Sequence, residues 1–349
     1  MKKNPLRILA LLASVFLSGQ AIACASCGCT LSADGALGYS TTGGWNISLD
    51  DSYIDQSQLY TGSGRIAPAQ VQTVPDQEVE NRTVNRYLTL GLGYNFNADW
   101  NIKLALPYID RSHSTYGDNA TLPLNDAQLS SAGVTGIGDV KLMASYQGLL
   151  PTANLGIQVG LKLPTGNYGG PSAANTTGRV DQGVVGRHPA QFGPDGNAGS
   201  TYLDTSLNAG NGSTDLILGS YYYQAVSQNL DAFVNGQLQV SVLQQLHQSG
   251  ADYRPGNQVS ASMGLRYMAD PSVIPQLQIN LVNKASDSGA LADTTGTAGT
   301  LVYFSPGLTM TVQAQTQIYG FIQLPVLANL SGYQLVPRYT ASLGISHHF

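Results

Sequence analysis

Read backwards from Phe349, residues Phe349, His347, Ile345, Leu343, Ala341 and Tyr339 share one side of an extended chain. His348, Ser346, Gly344, Ser342, Thr340 and Arg338 share the other. A period of two with one apolar and one polar face is the pattern of a strand that meets lipid on one side only. The same alternation recurs over residues 45–49, 88–96, 100–108, 140–146, 157–163, 216–222, 230–240, 259–267, 277–281, 302–310 and 318–324. Each segment approaches the ~10 residues that a tilted strand needs to cross a bilayer. The pattern predicts an all-β fold: a transmembrane antiparallel up-and-down β-barrel of about 12 strands over residues 44–349. An even strand number returns both termini to one side, expected to be the periplasm. Closure into a barrel is required because lipid offers no partner to an unpaired strand edge.

Connection lengths alternate in the same sense. Short turns are expected at 97–99, 151–153, 227–229, 270–272 and near Gln313, with Asn, Asp, Pro and Ser supplying turn chemistry. Longer segments lie between them, the largest running from about Asn167 to Ser213 and rich in Gly, Asn and Ser. A soluble β-sandwich would alternate too, but has no reason to interleave long and short loops so regularly. Trp45, Tyr94, Phe96, Trp100, Tyr146, Tyr267 and Phe349 fall at segment ends, where amphipathic rings suit a membrane–water interface.

The beginning of the chain points to export. Lys2, Lys3 and Arg7 precede an apolar run over 8–17 and the small-residue site Ala21-Ile22-Ala23. This is a signal peptide over 1–23, too short in its apolar run to span a bilayer. Only 11% of residues are charged, well under the ~25% of a soluble domain. A net charge of −5 provides no basic field for nucleic acid. Mean hydropathy is near zero at −0.05, because a barrel averages lipid-facing Leu with lumen-facing Ser and Asn. The expected location is the cell outer membrane, with outer-membrane lipid and the barrel assembly machinery as partners.

An ordered set of short motifs follows: Leu106-Pro107-Tyr108, then Gly136-Ile137-Gly138-Asp139-Val140-Lys141-Leu142, then Leu163-Pro164-Thr165-Gly166. Leu203-Asp204 and Gly210-Asn211-Gly212-Ser213-Thr214-Asp215-Leu216 come after the long segment. Over most of the mature chain this set resembles the outer-membrane family named for the MetA pathway of phenol degradation. The resemblance implies a transport-type barrel for small, often aromatic or apolar compounds; it does not establish phenol as cargo. From the residues themselves, Gly136, Gly138, Gly210 and Gly212 let the backbone turn from loop into strand. Pro107 and Pro164 sit where strands leave the membrane. Asp139 and Asp215 either satisfy loop amides at the rim or take part in cargo selection.

Parity places Asn101, Lys103, Asp139, Lys141, Gln158, Lys162, Asp215, Tyr221, Tyr223, Asp231 and Arg266 on the lumen face. Lys103, Asp139, Lys141, Lys162, Asp215, Tyr221, Tyr223 and Arg266 are the cargo candidates. Their charges are mixed, whereas a strongly ion-selective pore would show a ring of one sign. Cys24, Cys27 and Cys29, the whole thiol complement, open the mature chain in a segment over 24–43. Three readings stay open: a periplasmic disulfide, lipidation of Cys24, or a soft-metal site such as Cu(I) or Zn. No other cofactor is implied. His247-Gln248-Ser249-Gly250 resembles the His-x-Ser-Asn-Gly stretch of the outer-membrane phospholipase, with Gly250 in place of the Asn; a lipolytic enzyme is the remote alternative. His347 and His348 point to opposite strand faces and cannot share one ion.

The expectation is a passive channel or facilitator for small molecules, not an enzyme, narrowed by inward loops or by a plug from residues 25–42. The rival is a barrel sleeve for a periplasmic metal or redox partner docked through the cysteines.

Overall fold

The computed structural model describes residues 43–72, 78–117, 120–171, 184–194 and 201–349. The expected export signal and the cysteine segment lie outside these residues. Twelve strand elements build the wall: β1 (Gly44–Gly62), β2 (Glu80–Asn95), β3 (Trp100–Thr115), β4 (Ser130–Ile137), β5 (Val140–Tyr146) and β6 (Leu155–Leu163), then β7 (Ser213–Ser227), β8 (Leu230–Gln244), β9 (Gln258–Tyr267), β10 (Val273–Lys284), β11 (Gly299–Gln313) and β12 (Thr316–His348). All neighbouring pairs are antiparallel, and β12 returns to β1 through Asn46↔His348 and Leu59↔Leu335, which closes the sheet.

Two elements depart from one strand per crossing. β12 is 33 residues long, and extended it would reach about 110 Å, several times a bilayer core. It reverses at Ser331-Gly332, where Gly332 has φ +55°. Its first half pairs with β11 and its second half with β1. Thr316 Oγ1 meets His347 Nδ1 at 2.7 Å and the His348 amide donates to the Gln315 carbonyl at 2.9 Å, so the two halves also lie side by side. Conversely, β4 and β5 together make one crossing, because β3 pairs with β4 through residues 108–115 and with β5 through residues 100–105. Counting β12 once, eleven strands close the ring; its reversal makes twelve passes of chain.

The glycines predict a loop that ends at Gly136 and Gly138. Instead the strand continues above the break up to Ser130. The interruption sits at Gly138-Asp139, where a Cβ on Gly138 would come within 2.8 Å of Ile109. There the Gly138 amide donates to the Pro107 carbonyl at 2.8 Å, and the Val140 amide donates to Thr165 Oγ1 at 2.9 Å.

Both ends of the described barrel lie at one rim, the terminal rim, with the turns 97–99, 151–153, 227–229 and 270–272. Asn97 Oδ1 accepts from the amides of Asp99 and Trp100, both at 2.9 Å, a side-chain turn that explains the Asn at this site. Aromatic rings gather here as expected: Trp45 and Tyr94 at 4.9 Å between centroids, Trp100 and Tyr146 at 4.6 Å, His347 and Phe349 at 4.5 Å. Above them an outward apolar band encircles the wall. Leu49, Leu90, Leu104, Val159, Leu218, Met263, Ile279, Leu324 and Leu343 are all exposed on its outer face. Such a continuous apolar belt would be untenable in water and is what hydrocarbon solvates. No described helix is long and apolar enough to cross a membrane.

Candidate functional site

The segment between β6 and β7, in its described residues 203–211, turns into the barrel mouth and forms the roof of an internal cavity of about 480 Å³. Its chain contains short paired pieces, Tyr168–Pro171 with Val184–Arg187 and Gln191–Pro194 with Thr201–Tyr202. It then makes a single turn of 3-10 helix over Thr205–Leu207, capped by Asp204 Oδ1 accepting the Ser206 amide at 2.6 Å. Leu203, Leu207 and Ala209 are buried against Ile109, Ala132 and Val134 on the inner side of β3 and β4. Each buried leucine contributes on the order of 2 kcal/mol, so the packing alone favours the inward arrangement.

Polar anchors fix the segment at two points. Arg111, itself 3% exposed, reaches from β3 to donate to the Leu207 and Asn208 carbonyls and to the Tyr87 hydroxyl oxygen at 3.0 Å. Asn208 in turn accepts the Ala190 amide at 2.7 Å and donates to the Asp204 carbonyl at 3.1 Å. The second anchor is Lys162 on β6. Its ammonium lies 3.1 Å from Asp139, 3.2 Å from Asp215, 2.5 Å from Asn211 Oδ1 and 2.9 Å from Ser213 Oγ. Asp139 also accepts the amides of Gly166 at 3.0 Å and Asn211 at 3.3 Å. Both ends of the long segment are therefore tied to one buried ion cluster. Gly210 is required there, since a Cβ would fall 2.6 Å from Asp139 Oδ1 and 2.8 Å from the Gly166 backbone.

Farther toward the loops, buried His113 is held between Thr83 Oγ1 at 2.8 Å and Glu78 Oε1 at 2.9 Å. Burial pushes the Asp204 carboxyl up to about 6, opposed by hydrogen bonds from the Ser206 hydroxyl and amide and reinforced by the negative charges of Glu78 and Asp287.

The sequence candidates divide by position. Lys103, Asp139, Lys141 and Lys162 line the cavity, as does Gln158, while Asp215 sits behind Lys162. Tyr221 is not on the cavity: its ring lies over Gly156 and its hydroxyl donates to Gln147 Oε1 at 3.0 Å. Tyr223 donates to the Ala153 carbonyl at 3.0 Å, and Arg266 meets Asp231 at 3.5 Å; both belong to the terminal-rim end. Arg111, Asp50 and the loop residues Ser206 and Asn208–Asn211 also line it and are not among the sequence candidates. Parity along β3 would have marked Arg111 as inward; nothing local marks the loop residues. Cys24, Cys27 and Cys29 lie outside the described residues, as does the plug expected at 25–42. His247 is exposed, with Nδ1 3.0 Å from the Gln245 carbonyl, and Ser249-Gly250 forms the turn of a two-residue hairpin.

No family model matches the chain. No curated protein matches it in sequence either. Among solved structures, an outer membrane channel from Pseudomonas putida F1 superposes with a TM-score of 0.63 at 14% identity, over 92% of this chain and 100% of that one. A monoaromatic hydrocarbon channel, CymD, gives 0.42 at 10% identity over 94% and 98%. The transport unit of the Escherichia coli autotransporter AIDA-I gives 0.44 at 10% over 98% and 97%. The first likeness establishes the fold as that of outer-membrane β-barrels; the two weaker ones carry no functional argument.

Proposed function

We propose that the protein is an outer-membrane channel that lets small molecules pass by diffusion, with both barrel ends on the periplasmic side. The observation that carries this reading is the cavity of mixed polar and apolar lining inside an apolar-belted barrel, roofed by inward-folded loop residues. A wall with lipid outside and Lys, Asp, Asn, Gln and Ser inside is built to offer water-like solvation across hydrocarbon. The Lys162 and Arg111 anchors make the roof a constriction rather than a free loop. No nucleotide motif or other energy source is part of the reading, so the flux follows the gradient. The cavity of about 480 Å³ is large enough for a ring and its substituents, which keeps small aromatic compounds among the cargo classes.

The test is planar-bilayer conductance of the refolded, purified protein. Discrete steps of small conductance that grow when Arg111→Leu frees the loop are expected. A folded barrel silent in both forms would overturn the channel.

A further inference from the structure

We infer that the cavity beneath the folded-in segment binds small neutral polyhydroxylated solutes of single-ring size, monosaccharides being the simplest class. The inference deepens the channel reading and rests on it for passage, but not for binding. Its basis is that the cavity has two unlike faces. Tyr87 on β2 and Ala105, Pro107 and Ile109 on β3 form one. Gln237 on β8 with Gln258 and Ser260 on β9 form the other. Taking β4 with β5 and counting β12 once, three crossings separate β3 from β8 and four separate β9 from β2, so the two faces stand opposite each other across the lumen. Arg111 holds the Tyr87 ring in place by donating to its hydroxyl oxygen at 3.0 Å.

The amide face keeps hydrogen-bonding capacity in reserve. Gln237 and Ser260 are paired directly across β8 and β9, and Gln258 lies two positions from Ser260 on the same face. All three are half-buried, and their side chains hydrogen-bond no other described residue. Their polar neighbours are engaged: Asn235 Oδ1 accepts the Ser262 hydroxyl at 2.7 Å, and Gln239 donates to Asp215 at 2.5 Å. The charged groups of the cavity are engaged as well. Lys162 is enclosed by Asp139 and Asp215, Arg111 holds loop carbonyls, Asp50 accepts the Tyr319 hydroxyl, and Lys103 and Lys141 have interactions of their own. What remains to meet a solute is neutral, two amides and a hydroxyl, each able to donate and to accept. A sugar hydroxyl does both too, so it can stand in for the water that would otherwise solvate these groups. An aromatic hydrocarbon would displace that water and return no hydrogen bond. The opposite face takes the apolar C–H side of the sugar ring, completing the usual division of a small-molecule site into an apolar wall and a few orienting polar groups.

The experiment records ion current through the refolded full chain in planar bilayers while glucose or benzyl alcohol is added at equal concentration. Glucose is expected to reduce the current in a concentration-dependent way, and benzyl alcohol to leave it nearly unchanged. Gln237→Met with Gln258→Met keeps the bulk of both side chains and removes the amides. It is expected to weaken the glucose block by about tenfold, the effect of two lost hydrogen bonds. No glucose block, an equal block by benzyl alcohol, or an unchanged glucose block in the double variant of confirmed barrel fold overturns the inference and leaves the channel reading standing. If the protein does not conduct, saturation-transfer NMR of glucose with the refolded barrel takes the place of the current. Transfer that is lost in the double variant then upholds the site while the channel reading falls, and no transfer to the wild type overturns the site itself.

Discussion

The wall carries two ion clusters of similar composition on opposite faces, and they behave as different chemistry. Inside, Lys162 with Asp139 and Asp215 is closed off, with side-chain exposures of 5%, 10% and 3%. Outside, Arg86 on β2 and Asp51 on β1 lie 2.5 Å apart with side-chain exposures of 59% and 32%. Arg82 and Asp55 repeat the outward pairing four residues farther from the terminal rim, at 3.1 Å. The outward pairs mark where the apolar belt ends. Along β2 the outward residues run Tyr94, Leu92, Leu90 and Leu88 before Arg86, and along β1 they run Trp45, Ile47 and Leu49 before Asp51. On β3 the distance from Trp100 to Tyr108, just before Asp110, corresponds to about 21 Å of height at the usual tilt, close to a barrel's apolar band. The outer cluster therefore meets headgroups and water and need not be paired. The inner one has lost that solvent, so each partner depends on the others.

The sharpest way to break this comparison is Lys162→Met. It leaves two carboxylates enclosed without their cation, and the expected loss is about 3–5 kcal/mol in denaturant unfolding of the refolded barrel. Adding Asp215→Asn to that variant should recover part of the loss, which a simple volume defect would not do. Next in size is Leu207→Ala, expected to cost about 2–4 kcal/mol of local stability. It should appear as faster amide exchange over 203–211, with global unfolding changed less.

A smaller effect is expected from pH. The Asp204 carboxyl, at about 6 when folded, lies above its ordinary 3.8, so the folded segment holds the proton more tightly than the unfolded one. Packing of 203–211 is then strongest below about pH 4 and weakens as pH rises to about 6, remaining level above that. Asp204→Asn should abolish this slope in exchange rates corrected for intrinsic pH dependence; a slope that survives would refute the assignment. The smallest effect belongs to Arg86→Ala, for which no measurable change in unfolding is expected because exposed ion pairs contribute little. A loss comparable to that of Lys162→Met would erase the distinction between the two faces.

Much of the barrel is legible residue by residue. A period of two commits each side chain to one face wherever lipid lies on one side, and that alone assigns Lys103 and Lys141 inward and Leu104 and Leu142 outward. Turn chemistry at Asn97 and Asp270 marks the terminal rim because those side chains satisfy amides two or three residues away. The legibility fails where the deciding partner is distant in sequence. Tyr221 shares the parity of the cavity residues, yet its ring covers Gly156 and leaves the cavity to others. The strand above Gly138 has weak apolar alternation and so looks like loop in the sequence; pairing with β3 holds it in the wall.

The sequence by itself determined a membrane barrel with alternating loop lengths, since strand parity, turn residues and interfacial aromatics are local properties. Only the tertiary structure decided that residues 203–211 fold inward and that Asp139 and Asp215 are drawn onto Lys162. Those outcomes depend on inter-strand register and on Arg111 meeting carbonyls some 96 positions away, which no spacing along the chain encodes.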